Sequence, residues 1–387
     1  MKIVTVIGAR PQFIKAAAVN RALKKHNKKL QNKVGKDDSS HELFTEVIIH
    51  TGQHFDVNMS DVFFEEMQIY KPDYYLGICS LAHGAMTGRM LEKIEAILFK
   101  EKPDIVLVYG DTNSTLAGAL AAKKLNIEVA HIEAGLRNHD FTIPEEVNRV
   151  LTDRISDILF VSTDVAFKNL QKEGFASFQC DIVKTGDLMA DNILFYSQEA
   201  ASKSMVLRKL GIDNEKYILC TVHRASNTTL EKLSEIIKAL NKISEEHKIV
   251  FPVHPRTQQV IEENNLFLCP RILFINPVGY LDMIQLLANS WVVITDSGGL
   301  QKEAYLMKKN SLLLMEYTPW EELVDNGFSQ TTEINEEAIL KNFEIVSKAN
   351  PDYSLNLYGD GDAAKQIVTA LHDYLLGRKG KVDVQYK

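Results

Sequence analysis

Cysteine is scarce in this 387-residue chain: there are four, and no two of them form a Cys-x-x-Cys pair. Such pairs mark structural zinc sites, and dense cysteines mark small secreted domains held by disulfides. The scattered residues are Cys79, Cys180, Cys220 and Cys269. Their number and spacing argue against a structural zinc site and against a disulfide-held domain. We therefore expect a reducing, cytoplasmic compartment.

Long hydrophobic runs are missing as well. No apolar run approaches the roughly 20 residues that a helix needs to cross a bilayer. The apolar segment from Met1 to Ile7 is followed at once by a glycine and soon by Arg10, so it is too short for the apolar part of a signal peptide. We therefore expect neither a membrane span nor export by this route.

Positive charge is in deficit, because 44 Lys and Arg stand against 51 Asp and Glu and give a formal net charge of −7. Proteins that bind nucleic acids present basic surfaces. General nucleic-acid binding is therefore not expected. The composition, 45% hydrophobic and 25% charged, is otherwise that of an ordinary soluble protein, and the length favours two domains over one.

What the sequence does contain is a repeated alternation of short apolar runs with helical segments, which is typical of buried parallel strands. Two series of such runs predict an α/β fold with two Rossmann-like, doubly wound domains facing across a cleft. We place the first domain at 1–186 and the second at 187–360. A C-terminal helix with a frayed tail, at 361–387, is expected to pack back on the first domain.

Two cations follow the first predicted strand, in Gly8-Ala-Arg-Pro-Gln-Phe-Ile-Lys15. A tight turn that opens a helix aims backbone N–H groups, and here Arg10 and Lys15, at one point, which suits an anion. The sequence is neither a Gly-x-Gly-x-x-Gly fingerprint nor a Walker loop. Taken alone, the two cations are more often surface charges.

Acidic residues follow neighbouring predicted strands. The carboxyl ends of parallel strands border the ligand crevice, so we expect Asp111, Glu133 and Glu146 to converge there as acid/base groups. For Glu145 a helix-capping or salt-bridge role is the better interpretation. His131 lies within an apolar strand and is interpreted as a core residue.

The second series holds a stronger anion-binding candidate, Asp296-Ser-Gly-Gly299, at the start of a helix. The glycines let the backbone approach a ligand, and a helix N-terminus favours phosphate. Glu303, one turn later, is placed to accept hydrogen bonds from ribose hydroxyls. His223 follows another strand and is a candidate proton shuttle. No metal site is expected, because no His-x-x-x-His or Glu-x-x-His pair occurs.

Several motifs together carry a resemblance to a known family. They are Gly8-Ala-Arg-Pro-Gln-Phe-Ile-Lys15, Thr51-Gly-Gln-His54, Tyr109-Gly-Asp-Thr112, His131-Ile-Glu-Ala-Gly-Leu-Arg137, Pro144-Glu-Glu-Val-Asn-Arg149, Thr221-Val-His-Arg224, Thr295-Asp-Ser-Gly-Gly299 and Tyr358-Gly-Asp-Gly361. In this order, over residues 1 to about 370, the chain resembles the non-hydrolysing UDP-N-acetylglucosamine 2-epimerases. The resemblance implies a glycosyltransferase-B-like fold and a homodimer.

The resemblance also implies an isomerase reaction. UDP-GlcNAc and UDP-ManNAc would interconvert by elimination of UDP to 2-acetamidoglucal and re-addition, without metal or nicotinamide, for cell-surface polysaccharide synthesis. The implied catalytic residues are Asp111, Glu133, Glu146 and His223. The implied UDP-sugar-binding residues are Arg10, Lys15, His223, Val278, Tyr280, Ser297, Gly298, Gly299 and Glu303.

One departure from the family pattern leaves the substrate open. Met315-Glu-Tyr-Thr-Pro-Trp320 stands where the common pattern carries arginines that approach the nucleotide sugar. Loss of those cations should weaken or reshape diphosphate binding. A 2-epimerase of a related UDP-2,3-diacetamido-uronic acid sugar, a hydrolysing epimerase and a non-catalytic UDP-sugar sensor are the other hypotheses.

Overall fold

The structure is a computed structural model that describes residues 1–33, 42–53, 71–318 and 320–385. The chain divides into two compact units. The first contains Met1–Asn192 and Tyr358–Lys387, and the second contains Ile193–Leu357. Among the helices of the described ranges, none combines the length and the hydrophobicity needed to span a bilayer.

The first unit is built on a seven-stranded sheet whose strands are all parallel. Its strands are β1 Lys2–Ile7, β2 Thr45–His50, β3 Tyr74–Tyr75, β4 Ile105–Tyr109, β5 Glu128–Ile132, β6 Ile158–Val161 and β7 Asp181–Lys184. The order β3-β2-β1-β4-β5-β6-β7 reverses direction between β1 and β4. Ligands bind at such switch points in doubly wound sheets.

Helices connect these strands, and β4 is buried along its whole length. The helices of the first unit are α1 Arg10–Lys33, α2 His83–Glu101, α3 Asn113–Lys124, α4 Pro144–Ile155 and α5 Asp164–Lys172; α6 Leu188–Lys203 contains the boundary with the second unit. A short 3₁₀ turn covers Phe175–Ser177. The continuous apolar runs that predicted the strands are therefore those of a sheet covered by helices.

The second unit repeats the arrangement with six parallel strands in the order β10-β9-β8-β11-β12-β13. They are β8 Tyr217–Thr221, β9 Lys248–Pro252, β10 Ile272–Ile275, β11 Val292–Thr295, β12 Asn310–Leu313 and β13 Ser329–Thr331. The helices are α7 Val206–Leu210, α8 Leu230–Ser244, α9 Pro255–Glu263, α10 Tyr280–Asn289, α11 Gly298–Leu306, α12 Glu321–Asp325 and α13 Glu336–Lys348. The switch point lies between β8 and β11.

The predicted α/β class and the two doubly wound sheets are confirmed. Two strands were not predicted, β3 and β13, because they have only two and three residues and contain no apolar run. Both lie at an edge of their sheet, where a strand needs less hydrophobic sequence than at the centre.

The last helix, α14 Ala363–Gln385, belongs to the first unit and contacts α1. Its first N–H groups, on Ala363 and Ala364, donate to the Asp191 carboxylate at 3.0 and 2.9 Å. The helix continues to Gln385, so the expected frayed tail from Gly377 onward is wrong for the backbone up to that residue. Glycine favoured an end there, but no proline stops the helix.

Candidate active site

Three loops of the first unit lie side by side because the strands before them are neighbours. β1 pairs with β4, and β4 pairs with β5 in a register that sets Val108 opposite His131. The turn after β1, the Gly110–Asp111 segment after β4 and Glu133 after β5 therefore share one edge of the sheet. The structure thus brings Lys15, Asp111 and Glu133 to one edge of the sheet. The sequence predicted that Asp111 and Glu133 would converge but did not predict that Lys15 pairs with Glu133.

The turn after β1 is organised by Gln12, whose role the sequence analysis missed. Its Oε1 accepts the N–H groups of Gly8 and Ala9 at 2.8 and 3.0 Å, and its Nε2 donates to the Tyr109 carbonyl at 2.6 Å. The N–H groups of Gly8 and Ala9 are thus satisfied inside the turn and are not among those that could face an anion. The side chain of Arg10 lies outside the described part of the structure.

Lys15 and Glu133 form an ion pair at this edge, and both side chains are almost completely buried. Glu133 adopts φ +73°, in the left-handed region. Such a conformation costs about 1 to 3 kcal/mol in a non-glycine residue and is commonest at functional sites. A Cβ on Gly110 would lie 3.3 Å from Glu133 Oε2 and 3.9 Å from Lys15 Nζ. Glycine therefore leaves room for the backbone to lie against the pair.

Arg149 of α4 connects two of the predicted acids. It donates from one guanidinium nitrogen to Asp111 and from another to Glu146. The Glu146 carboxylate also accepts the N–H groups of Asn138 and His139, each at 3.0 Å. Glu146 is thus buried and fully hydrogen-bonded, whereas the Asp111 side chain keeps about a third of its surface exposed. The i, i+3 spacing of Glu146 and Arg149 was the available sequence signal.

Glu145 differs from its neighbour. It lies in the first turn of α4 and is exposed, where a carboxylate interacts favourably with the helix dipole. The two adjacent glutamates of one motif therefore have opposite environments, one accessible and one committed to internal contacts.

A cavity lies beside the Lys15–Glu133 pair. It is lined by Lys15, Ile132, Glu133, Phe160, Ser162, Thr185, Gly186, Asp187 and Leu188. The hydroxyl of Ser162 is buried and has no hydrogen-bond partner among the described residues.

In the second unit, Asp296 joins the loops that follow β8 and β11. Its carboxylate accepts the N–H groups of His223 and Arg224 at 2.9 and 2.8 Å, and His223 Nδ1 lies 2.8 Å away. Burial alone raises the pKa of Asp296, but the hydrogen bonds and charge of His223 outweigh it and lower that pKa. Asp296 therefore fixes the His223 ring, a role that the sequence analysis did not assign.

The start of α11 has the features expected of a phosphate-binding turn. The Ser297 hydroxyl caps the helix by accepting the Leu300 N–H at 3.3 Å. A Cβ on Gly298 would lie 3.5 Å from the indole nitrogen of Trp320. The Tyr280 hydroxyl donates to the Glu303 carboxylate at 3.1 Å, and both residues are buried. Gly299 is exposed, and Val278 is half-buried.

Within the described ranges, no group of three or more His, Cys, Asp or Glu side chains is arranged to hold a metal ion. The four cysteines are free thiols. His54, the last residue of the Thr51-Gly-Gln-His54 motif, lies outside the described residues. The polar groups of the candidate site are thus carboxylates, cations and a carboxylate-bound histidine, which are suited to proton transfer and to stabilising charge.

Comparison with known proteins agrees with this chemistry. A family model described as UDP-N-acetylglucosamine 2-epimerase matches residues 37–372. The chain is 47% identical to a UDP-N-acetylglucosamine 2-epimerase homolog of Methanococcus maripaludis, over 96% of this chain and 100% of that protein. It is 46% identical to the UDP-2,3-diacetamido-2,3-dideoxy-D-glucuronate 2-epimerase of Pseudomonas aeruginosa, over 96% and 99% of the two chains.

A solved structure is similar over the same length. The UDP-GlcNAc 2-epimerase of Methanocaldococcus jannaschii, crystallised in complex with UDP-GlcNAc and UDP, superposes with a TM-score of 0.83 at 39% identity. The match covers 96% of this chain and 99% of that one. The chain therefore belongs to the UDP-N-acetylglucosamine 2-epimerase family.

Proposed function

We propose that the chain catalyses the reversible epimerisation of UDP-GlcNAc at C2 of the sugar, giving UDP-ManNAc. One observation carries the proposal: Asp111 and Glu133 both lie at the switch point of the first sheet, and each forms an ion pair. The cation is Arg149 for Asp111 and Lys15 for Glu133. Two carboxylates on different loops suit a reaction that must move a proton on both faces of one carbon, since a single group reaches both faces with difficulty.

The proposed reaction balances as an elimination followed by its reverse. A carboxylate removes the proton from C2, the bond between C1 and the UDP oxygen breaks, and 2-acetamidoglucal and UDP result. Re-addition of UDP at C1 and protonation of C2 on the opposite face give the epimer. Positive charge develops at C1 as UDP leaves, so nearby carboxylates stabilise that transition state.

Lys15 and Arg149 each hold one of these carboxylates in place. Lys15 has a second role in this proposal: with Arg10, it would bring positive charge to the diphosphate. We propose that Glu146 contributes by holding Arg149 against Asp111, since its own oxygens are occupied by Arg149 and two backbone N–H groups.

We assign binding of UDP to the second unit. The N-terminus of α11, with Ser297, Gly298 and Gly299, would bind the phosphates, because its N–H groups and dipole favour an anion. Glu303 would hold the ribose. Val278 and Tyr280 would contact the uracil. His223, oriented by Asp296, would assist the departing phosphate.

Product analysis tests this proposal. The protein is incubated with UDP-GlcNAc, and the mixture is separated by anion-exchange chromatography and read by proton NMR. Formation of UDP-ManNAc, with UDP held at a trace level, is the expected result. Accumulation of free UDP and ManNAc would instead indicate a hydrolysing enzyme, and calorimetric binding with no turnover would indicate a UDP-sugar sensor.

A second candidate substrate is a UDP-2,3-diacetamido-2,3-dideoxy-uronic acid sugar. It is favoured by the 46% identity to the Pseudomonas aeruginosa enzyme that bears this substrate in its name. The same assay with both sugars at equal concentration decides between them through the ratio of the two kcat/KM values.

We also propose that the protein is cytoplasmic, as its few scattered cysteines indicate, and a homodimer, as the family resemblance implies. Light scattering of the purified protein tests the oligomer, because a dimer has twice the 43.7 kDa mass of the chain. Fractionation of the source cells tests the compartment, and recovery of the protein in the membrane pellet would contradict it.

A further inference from the structure

His131 lies beneath the candidate active site and is completely buried in β5. The prediction that it is a core residue is correct for its burial, but its surroundings are polar. Its Nδ1 lies 2.6 Å from Asp153 Oδ1 of α4, and its Nε2 lies 2.6 Å from the carbonyl oxygen of Gly110. Gly110 immediately precedes Asp111, so the ring contacts the backbone that carries a proposed catalytic carboxylate.

The two partners determine where the protons of the ring must be. A backbone carbonyl only accepts hydrogen bonds, and an ionised carboxylate also only accepts. A neutral imidazole has one N–H, so it would leave a lone pair facing one of these oxygens. Both contacts are hydrogen bonds only when both ring nitrogens carry a proton.

Asp153 is kept ionised by its neighbours. Burial by itself raises the pKa of this carboxyl, but the neighbouring hydrogen bonds and charges lower it, and those of Arg137 do so whether or not His131 is charged. The second oxygen accepts from Arg137 at 2.7 Å and from the Gly135 N–H at 3.0 Å. Arg137 in turn makes a two-bond contact with Glu173. The Arg154 guanidinium also lies 4.0 Å from the Glu173 carboxylate, at the more exposed side of this cluster.

Gly110 is held at both of its polar groups. Its N–H donates to the carbonyl of Ile132 at 2.9 Å, and its carbonyl accepts from His131. Its φ is +61°, a conformation that glycine adopts at little cost. Because the peptide unit is planar, fixing the Gly110 carbonyl fixes the plane from which Asp111 extends.

We propose that His131 is a positioning residue: a buried imidazolium that donates to Asp153 and to the Gly110 carbonyl and so fixes Asp111 for proton transfer. The assignment of Asp111 rests on the proposed function. The protonation state of His131 does not rest on it, so the two parts can fail separately.

NMR of the resting protein tests the protonation state. The protein is labelled with ¹⁵N-histidine, and the His131 ring signals are assigned by their loss in His131→Phe. Both ring nitrogens of His131 should show directly bonded protons at pH 7.5. A ring with one unprotonated nitrogen at that pH would overturn the proposal. Asp153→Asn should convert the ring to its neutral form, since the new amide donates to Nδ1 and leaves Nε2–H on Gly110.

Steady-state kinetics tests the positioning. His131→Phe should lower kcat by about 100-fold, the size of effect that a displacement of about 1 Å produces, while KM and the Kd of UDP change little. His131→Gln, which keeps one donor, should restore part of kcat. Asp153→Asn should retain more activity than His131→Phe, because the bond to Gly110 survives.

The control is Leu98→Ala in α2, a core substitution in the same unit that contacts no proposed catalytic residue. It should lower the melting temperature and leave kcat near the wild-type value at 25 °C. Equal losses of kcat in Leu98→Ala and His131→Phe would overturn the positioning role. A wild-type protein without turnover would contradict the proposed function, and the NMR result would still decide the state of His131.

Discussion

The two units use one strand order to build two different kinds of site. In each, functional loops follow the strands at which the sheet order reverses, β1 and β4 in the first unit and β8 and β11 in the second. In the first unit, the loops are held by side-chain ion pairs of Lys15 and Arg149. In the second, a single buried carboxylate, Asp296, holds the loop through backbone N–H groups.

This difference matches the proposed division of chemistry. Carboxylates that exchange protons need charged neighbours, whereas a phosphate is bound well by N–H groups and a helix start. In the proposed reaction, the same topology supplies acid/base groups in one unit and an anion site in the other. Substitutions in the two units should accordingly have different effects on turnover and on UDP affinity.

The largest effect is expected for Asp111→Asn in the first unit. Removing a proton-transferring group costs about 10²- to 10⁴-fold in rate. We expect kcat to fall in that range while calorimetry gives a Kd for UDP near the wild-type value, because the carboxylate acts on the sugar. The matched control is Asp164→Asn, at an exposed position of α5. It should leave both kcat and the Kd of UDP unchanged. Equal losses of kcat and of UDP affinity would show that Asp111 acts in binding or folding and not in proton transfer.

The opposite pattern is expected for Asp296→Asn in the second unit. One charged hydrogen-bond acceptor is lost, a change of about 1.5 to 3 kcal/mol, so the Kd of UDP should rise by about tenfold or more as the His223 loop loosens. Isothermal calorimetry measures the Kd of UDP, and the control is Asp213→Asn, at an exposed position of the same unit. An unchanged Kd would show that the loop does not contribute to UDP binding.

A third comparison lies within one motif, between Glu146 and Glu145. Glu146→Gln removes a buried charge partner of Arg149 and should cost about 1 to 3 kcal/mol of folding stability. Glu145→Gln, at an exposed position, should stay within about 0.5 kcal/mol. Urea unfolding measures both. If turnover is lost in Glu145→Gln while its stability is normal, Glu145 takes part in catalysis, which would contradict the assignment of that contribution to Glu146.

The last effect is on the pH dependence of stability and concerns the cap of α14. Burial raises the pKa of Asp191 from 3.8 to about 6. The folded protein therefore binds this proton more readily than the unfolded chain, and the contribution of Asp191 to stability falls as the pH rises from 3.8 to about 6. The difference is on the order of 3 kcal/mol.

Asp191→Asn should remove this slope from a plot of unfolding free energy against pH. The control is Asp352→Asn, an exposed aspartate whose pKa is lowered by hydrogen bonds from Ser354. The Asp352 carboxyl titrates below pH 3.8, so Asp352→Asn should keep the wild-type slope between pH 3.8 and about 6. A slope that survives in Asp191→Asn would show that another group titrates there.

The sequence predicted well those features that depend on short segments. Each apolar run between turn residues became a strand, and Asp111 and Glu133 lie where the ends of parallel strands meet. Ser297 caps α11 as its position before the glycines indicated.

Roles that depend on distant contacts could not be read in the same way. Gln12 contacts Tyr109, 97 residues away, and Asp296 contacts His223, 73 residues away. His131 lies in an apolar strand, so only the fold reveals that a carboxylate and a carbonyl meet its ring. Residues of this kind resemble core or cap residues until the strands are placed side by side.

In the proposed reaction, a proton is removed from C2 and another is returned from solvent by groups of the first unit. This exchange is measured as deuterium at C2, followed by NMR during turnover of UDP-GlcNAc in deuterated water. Deuterium should appear at C2 in both epimers with the wild-type protein, and little or none should appear with Asp111→Asn. Epimerisation by the wild-type protein without deuterium at C2, or undiminished labelling in Asp111→Asn, would contradict the proposed reaction.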